Sequence, residues 1–232
     1  MIATLVNAAA IVLGTLVGLA LRKGFSEKMQ NAVFTAAGCI TLVLGMKMAF
    51  ETNHILALAL ALLIGAIWGT WMDVEGAVFR LGEFLKRRFT KGEEGSSFAF
   101  GFLNASVLYC VGSMALVGSF KAGVEGDYSL ILTKSVLDGF VSVLFAGAMG
   151  VGVAFSAISV LVYQGALTLL SARIAHLVSE TMISELTAAG GILVLMIGLN
   201  LLDLRKVRTG DFLPALFVMI VLVLLIPYVP FL

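Results

Sequence analysis

Seven long apolar runs, separated by short charged segments, set the pattern of this sequence. None of the seven contains Asp, Glu, Lys or Arg, and they cover residues 1–21, 30–46, 55–72, 95–120, 139–172, 186–202 and 212–232. A membrane-spanning helix needs about 20 consecutive, mostly apolar residues. Six of the runs have about that length, so each of them predicts one span.

The run 139–172 is too long for one span. Its 34 residues would form a helix of about 50 Å at about 1.5 Å per residue, against a hydrocarbon core of about 30 Å. We expect a break at Gly147, Gly150 or Gly152, because glycine allows turn geometry. The predicted fold class is therefore all-α: a polytopic membrane bundle of about eight transmembrane helices, forming one integral membrane domain over residues 1–232.

Composition supports a protein embedded in the lipid bilayer. The apolar fraction is 60%, the charged fraction is 12% and the mean hydropathy is +1.08. Soluble domains carry about 25% charged residues. The first run is not expected to be a cleaved signal peptide, since no positive residue precedes it and Arg22 and Lys23 follow it.

Basic residues are distributed unequally between the two sides of the eight-span arrangement. If Arg22 and Lys23 are cytoplasmic, eleven basic residues fall in cytoplasmic connections: Arg22, Lys23, Lys28, Arg80, Lys86, Arg87, Arg88, Lys91, Arg205, Lys206 and Arg208. Only Lys121 and Arg173 fall in the opposite connections. The positive-inside rule then predicts that both termini lie outside, in the periplasm or the extracellular space. The basic residues act as topological anchors, so no nucleic-acid partner is expected from the net charge of +1.

The longest polar segment, residues 73–97, has apolar residues at helical spacing among basic ones: Val78, Phe79, Leu81, Phe84, Leu85 and Phe89. This spacing fits an amphipathic helix on the inner membrane surface, and it fits a solvated continuation of the third span equally well. Residues 74–95 are predicted as a cytoplasmic amphipathic connection.

A short repeat suggests internal symmetry. Thr35-Ala36-Ala37-Gly38 recurs as Thr187-Ala188-Ala189-Gly190. Residues 1–73 (spans 1–3) and 153–232 (spans 6–8) would then be two repeats, with spans 4–5 between them in residues 96–149. Spans 1 and 6 cross in opposite directions, so the repeats would be inverted, as in many secondary transporters. The alternative is a chance match between helices rich in Ala and Gly.

Lys134 and Asp138 lie four residues apart within span 5, on one face of the predicted helix. Charges are costly at membrane depth unless they face the protein interior or water. One interpretation is a local pair that cancels its own charge. The other is a proton- or cation-sensitive carboxylate that lines a path, with Lys134 tuning its pKa.

Uncharged polar residues in the spans could complete such a path. The candidates are Asn7, Asn104, Ser106, Ser113, Gln164 and Asn200. Their amides and hydroxyls suit a polar solute or a partly dehydrated ion. Hydrogen bonding between helices is an equally ordinary role for each of them.

Glycine pairs predict close helix packing. Gly14 with Gly18, and Gly65 with Gly69, are G-x-x-x-G pairs in apolar spans. They could pack helices within one chain or between chains, so a homo-oligomer is an alternative to packing within one chain.

No cofactor and no metal site are expected. Cys39 and Cys110 lie in apolar spans, and His54 and His176 are isolated from each other.

Short motifs along nearly the whole chain resemble the YdfK/YqgA family of bacterial integral membrane proteins. Among them are Cys110-Val111-Gly112-Ser113-Met114, Thr133-Lys134-Ser135, Leu137-Asp138-Gly139, Tyr163-Gln164-Gly165 and Gly198-Leu199-Asn200. The resemblance implies a bacterial inner-membrane location and favours Lys134, Asp138, Gln164 and Asn200 as functional residues. It implies no substrate, because the family is a domain of unknown function.

The sequence favours a transporter of a small polar solute or ion, with proton or cation coupling through Asp138 as one form of it. A passive channel or facilitator, and a non-transporting scaffold or assembly protein, are the alternatives. An enzyme is not expected, since the chain has no H-E-x-x-H pair and no serine with an evident base.

Overall fold

The computed structural model describes residues 1–24, 26–89, 95–174 and 178–228, and within these ranges the chain is helical with no β-strand. The α-helices are α1 (Ile2–Lys23), α2 (Glu27–Ala49), α3 (Ile55–Met72), α4 (Val74–Phe89), α5 (Gly95–Val111), α6 (Ser113–Val124), α7 (Ser129–Met149), α8 (Gly152–Ile174), α9 (Glu180–Leu201) and α10 (Pro214–Leu225). Short 3₁₀ turns cover Thr209–Phe212 and Ile226–Tyr228. The predicted all-α fold class is confirmed.

Glycines bring α1 and α7 into close contact. The open face of Gly14 lies against the backbone carbonyl of Gly139, and Gly18 lies against the carbonyl of Val143. Contact positions increase together along both helices, so α1 and α7 run parallel. Glycine is required here because any side chain would meet the backbone of the neighbouring helix.

Two further pairs are antiparallel. On α3, Gly65 lies against Ala215 at the start of α10, and Gly69 lies against Asp211 in the preceding 3₁₀ turn. On α2, Gly38 lies against Leu202, at the end of α9. The four glycines of the two predicted G-x-x-x-G pairs therefore face partners in the same chain. Dimerisation through them stays an untested prediction.

The contacts between α2 and α9 are reciprocal. Gly38 lies against Leu202, and Gly191 lies against Ala49. Gly191 follows Gly38 by 153 positions, and Leu202 follows Ala49 by the same number. If α2 and α9 exchanged places, each of these contacts would therefore become the other.

The N-caps of α2 and α9 follow the same offset. The Ser26 hydroxyl accepts a hydrogen bond from the backbone N–H of Met29, and the Ser179 hydroxyl accepts one from that of Met182. These serines, and these methionines, are also 153 positions apart. The repeated tetrapeptide of the sequence has an offset of 152, one residue out of this register. The inverted repeat stays a prediction, and the contacts and caps of α2 and α9 align it with an offset of 153 positions.

The run 95–120 differs from the single helix that the sequence predicts. It forms α5 and α6, which meet at Gly112 with a bend of 58°. Val111, at the end of α5, lies over the open face of Gly190 on α9.

Contacts with α8 show that α5 and α6 run in series across the bundle. The Ser106 and Ser159 hydroxyls are 2.9 Å apart, and Gly152, at the start of α8, lies against Phe98. Farther on, Gly123 of α6 lies against Ser171, near the end of α8. Together α5 and α6 follow α8 over its length, which defines a broken span rather than a loop that returns to its own side.

The predicted break in the run 139–172 is confirmed. Helix α7 ends at Met149 and α8 begins at Gly152. Between them Gly150 has φ +84° and ψ −161°, a conformation that side-chain-bearing residues rarely adopt.

Six described helices are long and apolar enough to cross a membrane, namely α1, α2, α3, α7, α8 and α9. The broken pair α5–α6 supplies a seventh candidate. The apolar helix over residues Thr209–Leu225 is shorter, although its antiparallel contacts with α3 are those expected of an eighth span. The eight-span count therefore stays a prediction.

The polar segment after α3 forms the helix α4. Gly82 on α4 packs against the buried Ala99 on α5, so part of α4 rests on the bundle. The backbone N–H of Glu75 donates to Asp211 Oδ1, and Glu75 Oε2 accepts from the N–H of Gly210, each at 2.9 Å. Contact of α4 with the inner membrane surface stays a prediction.

Ion pairs reinforce this connection. Asp73 binds Arg80 at 3.1 Å and Arg208 at 2.5 Å. The bond to Arg208, and then that to Arg80, hold the pKa of Asp73 below its ordinary value, whereas burial raises the pKa of Glu75. We call the end of the bundle that carries this connection the basic end, and the opposite end, where α1 begins, the N-terminal end.

Candidate functional site

A buried group of four polar side chains joins α1, α7 and α8. Asn7 Nδ2 donates to Asp138 Oδ2 and to Gln164 Oε1, both at 3.0 Å, and Lys134 forms a salt bridge with Asp138. Asn7 and Gln164 are 0% exposed, Lys134 is 5% and Asp138 is 8% exposed. We call Asn7, Lys134, Asp138 and Gln164 the polar cluster.

Local sequence explains how these side chains meet. Lys134 and Asp138 are one helical turn apart on α7, as their spacing predicts. Asn7 reaches them because Gly14 and Gly18 let α1 lie directly on α7. Asp138 lies near the middle of α7 and Gln164 near the middle of α8, so the cluster is deep in the bundle.

The carboxylate fixes the orientation of both amides. Asp138 can only accept a hydrogen bond when ionised, so Asn7 presents its NH₂ group to it. The same NH₂ group then requires the oxygen of Gln164. In the described part of the chain, Asn7 Oδ1 and Gln164 Nε2 are left without a hydrogen-bond partner. An unmet buried polar group costs about 1–3 kcal/mol, so these two atoms indicate a place for water or a solute.

The bend of the broken span lies beside the cluster. Tyr109, in the last turn of α5, has its hydroxyl 2.8 Å from that of Ser142, one turn after Asp138 on α7. The Lys134 ammonium lies 5.7 Å from the centre of the Tyr109 ring, within cation–π range. Cys110 follows Tyr109 directly on α5 and is partly buried.

Three buried hydroxyls continue from the cluster toward the N-terminal end. Thr4 is one turn before Asn7 on α1, Thr168 is one turn after Gln164 on α8, and Ser119 lies on α6. Among the described residues, none of the three hydroxyls has a hydrogen-bond partner. On this side, the buried Ala3, Ala122 and Ile131 pack together in an apolar cluster.

Of the eight polar residues predicted for a path, the structure brings four together, namely Asn7, Lys134, Asp138 and Gln164. Asn104 instead donates to the sulfur of Met149 at 3.6 Å. Ser113 begins α6 immediately after the bend.

Asn200 lies outside the cluster, at the end of α9. Its amide binds Val207 through both the backbone N–H and the carbonyl, at 2.7 and 2.9 Å, and contacts Thr209 at 3.3 Å. These bonds hold the connection before α10 in place. A role for Asn200 in a path therefore has no contact to support it.

Glu185 is a buried carboxylate that the sequence analysis missed. It accepts hydrogen bonds from the Thr52 hydroxyl at 2.6 Å and from the backbone N–H groups of Asn53 and His54 at 2.7 and 3.1 Å. It thereby binds the connection between α2 and α3 to α9. The sequence signal for such a role is a glutamate near the start of an apolar helix, where an ionised side chain needs partners. His176 lies outside the described residues.

No group of three His, Cys, Asp or Glu side chains suited to a metal ion occurs within residues 1–24, 26–89, 95–174 and 178–228.

The helical bundle and its buried ion pair define a polytopic helical membrane protein. The chain belongs to the family described as "Protein of unknown function (DUF554)", which matches residues 2–224. It is 30% identical over 222 residues to "Uncharacterized membrane protein YdfK" of Bacillus subtilis (strain 168), covering 94% of this chain and 93% of that protein. It is 28% identical over 214 residues to "Uncharacterized protein YqgA" of Escherichia coli (strain K12), covering 91% of each. No solved structure matches the chain.

Proposed function

We propose that the protein is a membrane transporter of a small polar solute or ion, with the polar cluster as its solute site. The observation that carries this proposal is the pair of unpartnered amide atoms, Asn7 Oδ1 and Gln164 Nε2, beside a buried ion pair. A polar solute that loses its water must find equivalent hydrogen-bonding partners in its site, and these two atoms offer it one acceptor and one donor.

The broken span supports alternating access. Transporters commonly place their sites where discontinuous helices meet near the middle of the membrane. Here the bend at Gly112 is one turn from Tyr109, whose ring faces Lys134. On the N-terminal side the packing of Ala3, Ala122 and Ile131 would have to open.

Toward the basic end, Phe145 and Met149 are buried in the last two turns of α7 and would lie across the route. The route on this side would open by separation of the helices around them. The reciprocal contacts of α2 and α9 supply a symmetric pair about which two inverted halves could move.

Orientation follows from the charges. Most basic residues of the described helix ends and connections lie at the end that carries Asp73 and Arg208, and Lys121 and Arg173 lie at the opposite end. The end with Asp73 and Arg208 is therefore proposed to be cytoplasmic. The protein would then lie in the inner membrane of a bacterium with both termini outside.

Labelling of tags at each terminus tests this orientation. In intact cells, a membrane-impermeant reagent should reach tags at both ends of the chain. A C-terminal tag that reacts only after the cells are permeabilised would contradict both the eight-span count and the inverted repeat.

Flux through the purified protein tests the function. In proteoliposomes, Asp138→Asn should reduce solute flux at least about tenfold per folded protein, since the loss of a charged hydrogen-bonding partner is worth about 1.5–3 kcal/mol. Asp203→Asn is the matched control, because Asp203 is exposed and its φ of +53° suits asparagine. Wild-type flux in Asp138→Asn would remove Asp138 from the mechanism. Absence of flux across a broad panel of solutes would favour a scaffold.

A further inference from the structure

We propose that the polar cluster binds a small zwitterion, a molecule that carries one ammonium and one carboxylate group. This inference rests on the proposed function, because it names the class of solute for the same site.

Charge balance is the first argument. Lys134 and Asp138 cancel each other, and the side chains in contact with them, Asn7 and Tyr109, are uncharged. Gln164, which is bound to Asn7, is uncharged as well. A bare cation or anion would give the buried site a net charge, which is costly in a medium of low dielectric constant. A zwitterion leaves the site neutral.

Complementary hydrogen bonding is the second argument. The open groups of the amides are one acceptor, Asn7 Oδ1, and one donor, Gln164 Nε2. A ligand that satisfies both must bring a donor and an acceptor of its own. An ammonium and a carboxylate provide them in their strongest form, because charged groups make the stronger hydrogen bonds.

The Lys134–Asp138 ion pair has further hydrogen-bonding groups that can bind the same ligand. Lys134 carries three N–H donors, and the hydrogen bonds described for Asp138 both end on Oδ2, which leaves Oδ1 to accept. The ligand ammonium can therefore bind Asp138 and Asn7, while the ligand carboxylate binds Lys134 and Gln164. Positive and negative charges then alternate around the site.

Burial limits the size of the ligand. Asn7 and Gln164 are 0% exposed. Helices α1 and α7 are in close contact at Gly14 and Gly139, which lie two turns after Asn7 and one residue after Asp138. A ligand at this depth must fit between closely packed helices, so the small zwitterions glycine and β-alanine are the appropriate probes.

Binding to the full-length wild-type protein in lipid nanodiscs tests the ligand class by titration calorimetry. Glycine or β-alanine should bind saturably and at least about tenfold more tightly than methylammonium, propionate and propionamide, which carry the ammonium, the carboxylate or a neutral amide alone. Equal binding of propionamide, or of either single ion, would overturn the proposal. Absence of binding by both zwitterions would overturn it as well.

Variants locate the site. Asn7→Leu and Gln164→Leu should each weaken binding of the zwitterion about tenfold or more. Asn104→Leu, which removes a buried amide outside the cluster, should leave it unchanged. Equal loss in all three variants would contradict the assignment. If a Leu variant does not fold, Gln164→Asn, which keeps an amide but withdraws it from Asn7, replaces it with the same expected loss.

The two proposals fail in different ways. Asp138-dependent flux of an inorganic ion, without binding of glycine or β-alanine, would keep the transporter and reject the zwitterion. Binding of a zwitterion without any flux would keep the ligand class and reject transport.

Discussion

Lys134→Gln alone should destabilise the protein by about 3–5 kcal/mol, because it leaves the Asp138 carboxylate buried without its counter-charge. Asp138→Asn should cost less, since Lys134 is one turn nearer the N-terminal end and its long side chain can move toward water. The double variant, Lys134→Gln with Asp138→Asn, should recover most of the lost stability because no unpaired charge remains. Unfolding of each variant in mixed micelles measures the three values.

The double variant also separates folding from function. It should fold nearly as well as the wild type and yet carry no solute, because both charged partners of the ligand are gone. Lys47→Gln, which removes an exposed lysine of α2, is the control and should change stability by less than about 0.5 kcal/mol. Additive losses in the double variant would show that Lys134 and Asp138 do not interact, contrary to the structure.

Gly14→Ala should also destabilise the protein and should disrupt the site from a distance. An added Cβ meets the backbone carbonyl of Gly139, which is not able to move as the end of a side chain can. We expect a loss of about 1–3 kcal/mol from overpacking, together with separation of α1 from α7. Asn7 would then withdraw from Asp138 and ligand binding would fall. Unfolding and binding measured on the same variant check both effects.

Gly24→Ala is the matched control. Gly24 is exposed, and the carbonyl oxygen of Leu21 would be 3.7 Å from an added Cβ, an ordinary van der Waals distance. Its stability should stay within about 0.5 kcal/mol of the wild type. Equal effects at Gly14 and Gly24 would contradict the close approach of α1 and α7.

Local features of this fold could be predicted from sequence. The break near Gly150 follows from the length of an uncharged run, and the Lys134–Asp138 pair follows from a spacing of four on one helix. The helix α4 follows from its apolar periodicity. Each of these depends on residues that are close together in the chain.

Features that depend on distant residues could not be predicted. Asn7 is 131 positions from Asp138 and 157 from Gln164, so no spacing in the sequence indicates their contact. The bend at Gly112 had a weak signal, because the run 95–120 has the right length for a straight span and glycine is common in membrane helices. At the bend, Val111 lies over Gly190 of α9. This contact joins segments that are far apart in the chain, so the sequence does not indicate it either.

In alternating access, water and solute reach the polar cluster in turn from each side of the membrane. Cys110, at the bend beside Tyr109, can report this access. In a Cys39→Ala variant, the reaction of the Cys110 thiol with a charged, membrane-impermeant methanethiosulfonate is measured. The converse variant, Cys110→Ala, keeps only Cys39, which is exposed on the apolar face of α2 and should not react because hydrocarbon excludes the reagent. We predict that Cys110 reacts from either side of oriented vesicles and that a bound zwitterion slows the reaction. A Cys110 that stays unreactive from both sides, with and without the zwitterion, would contradict the account.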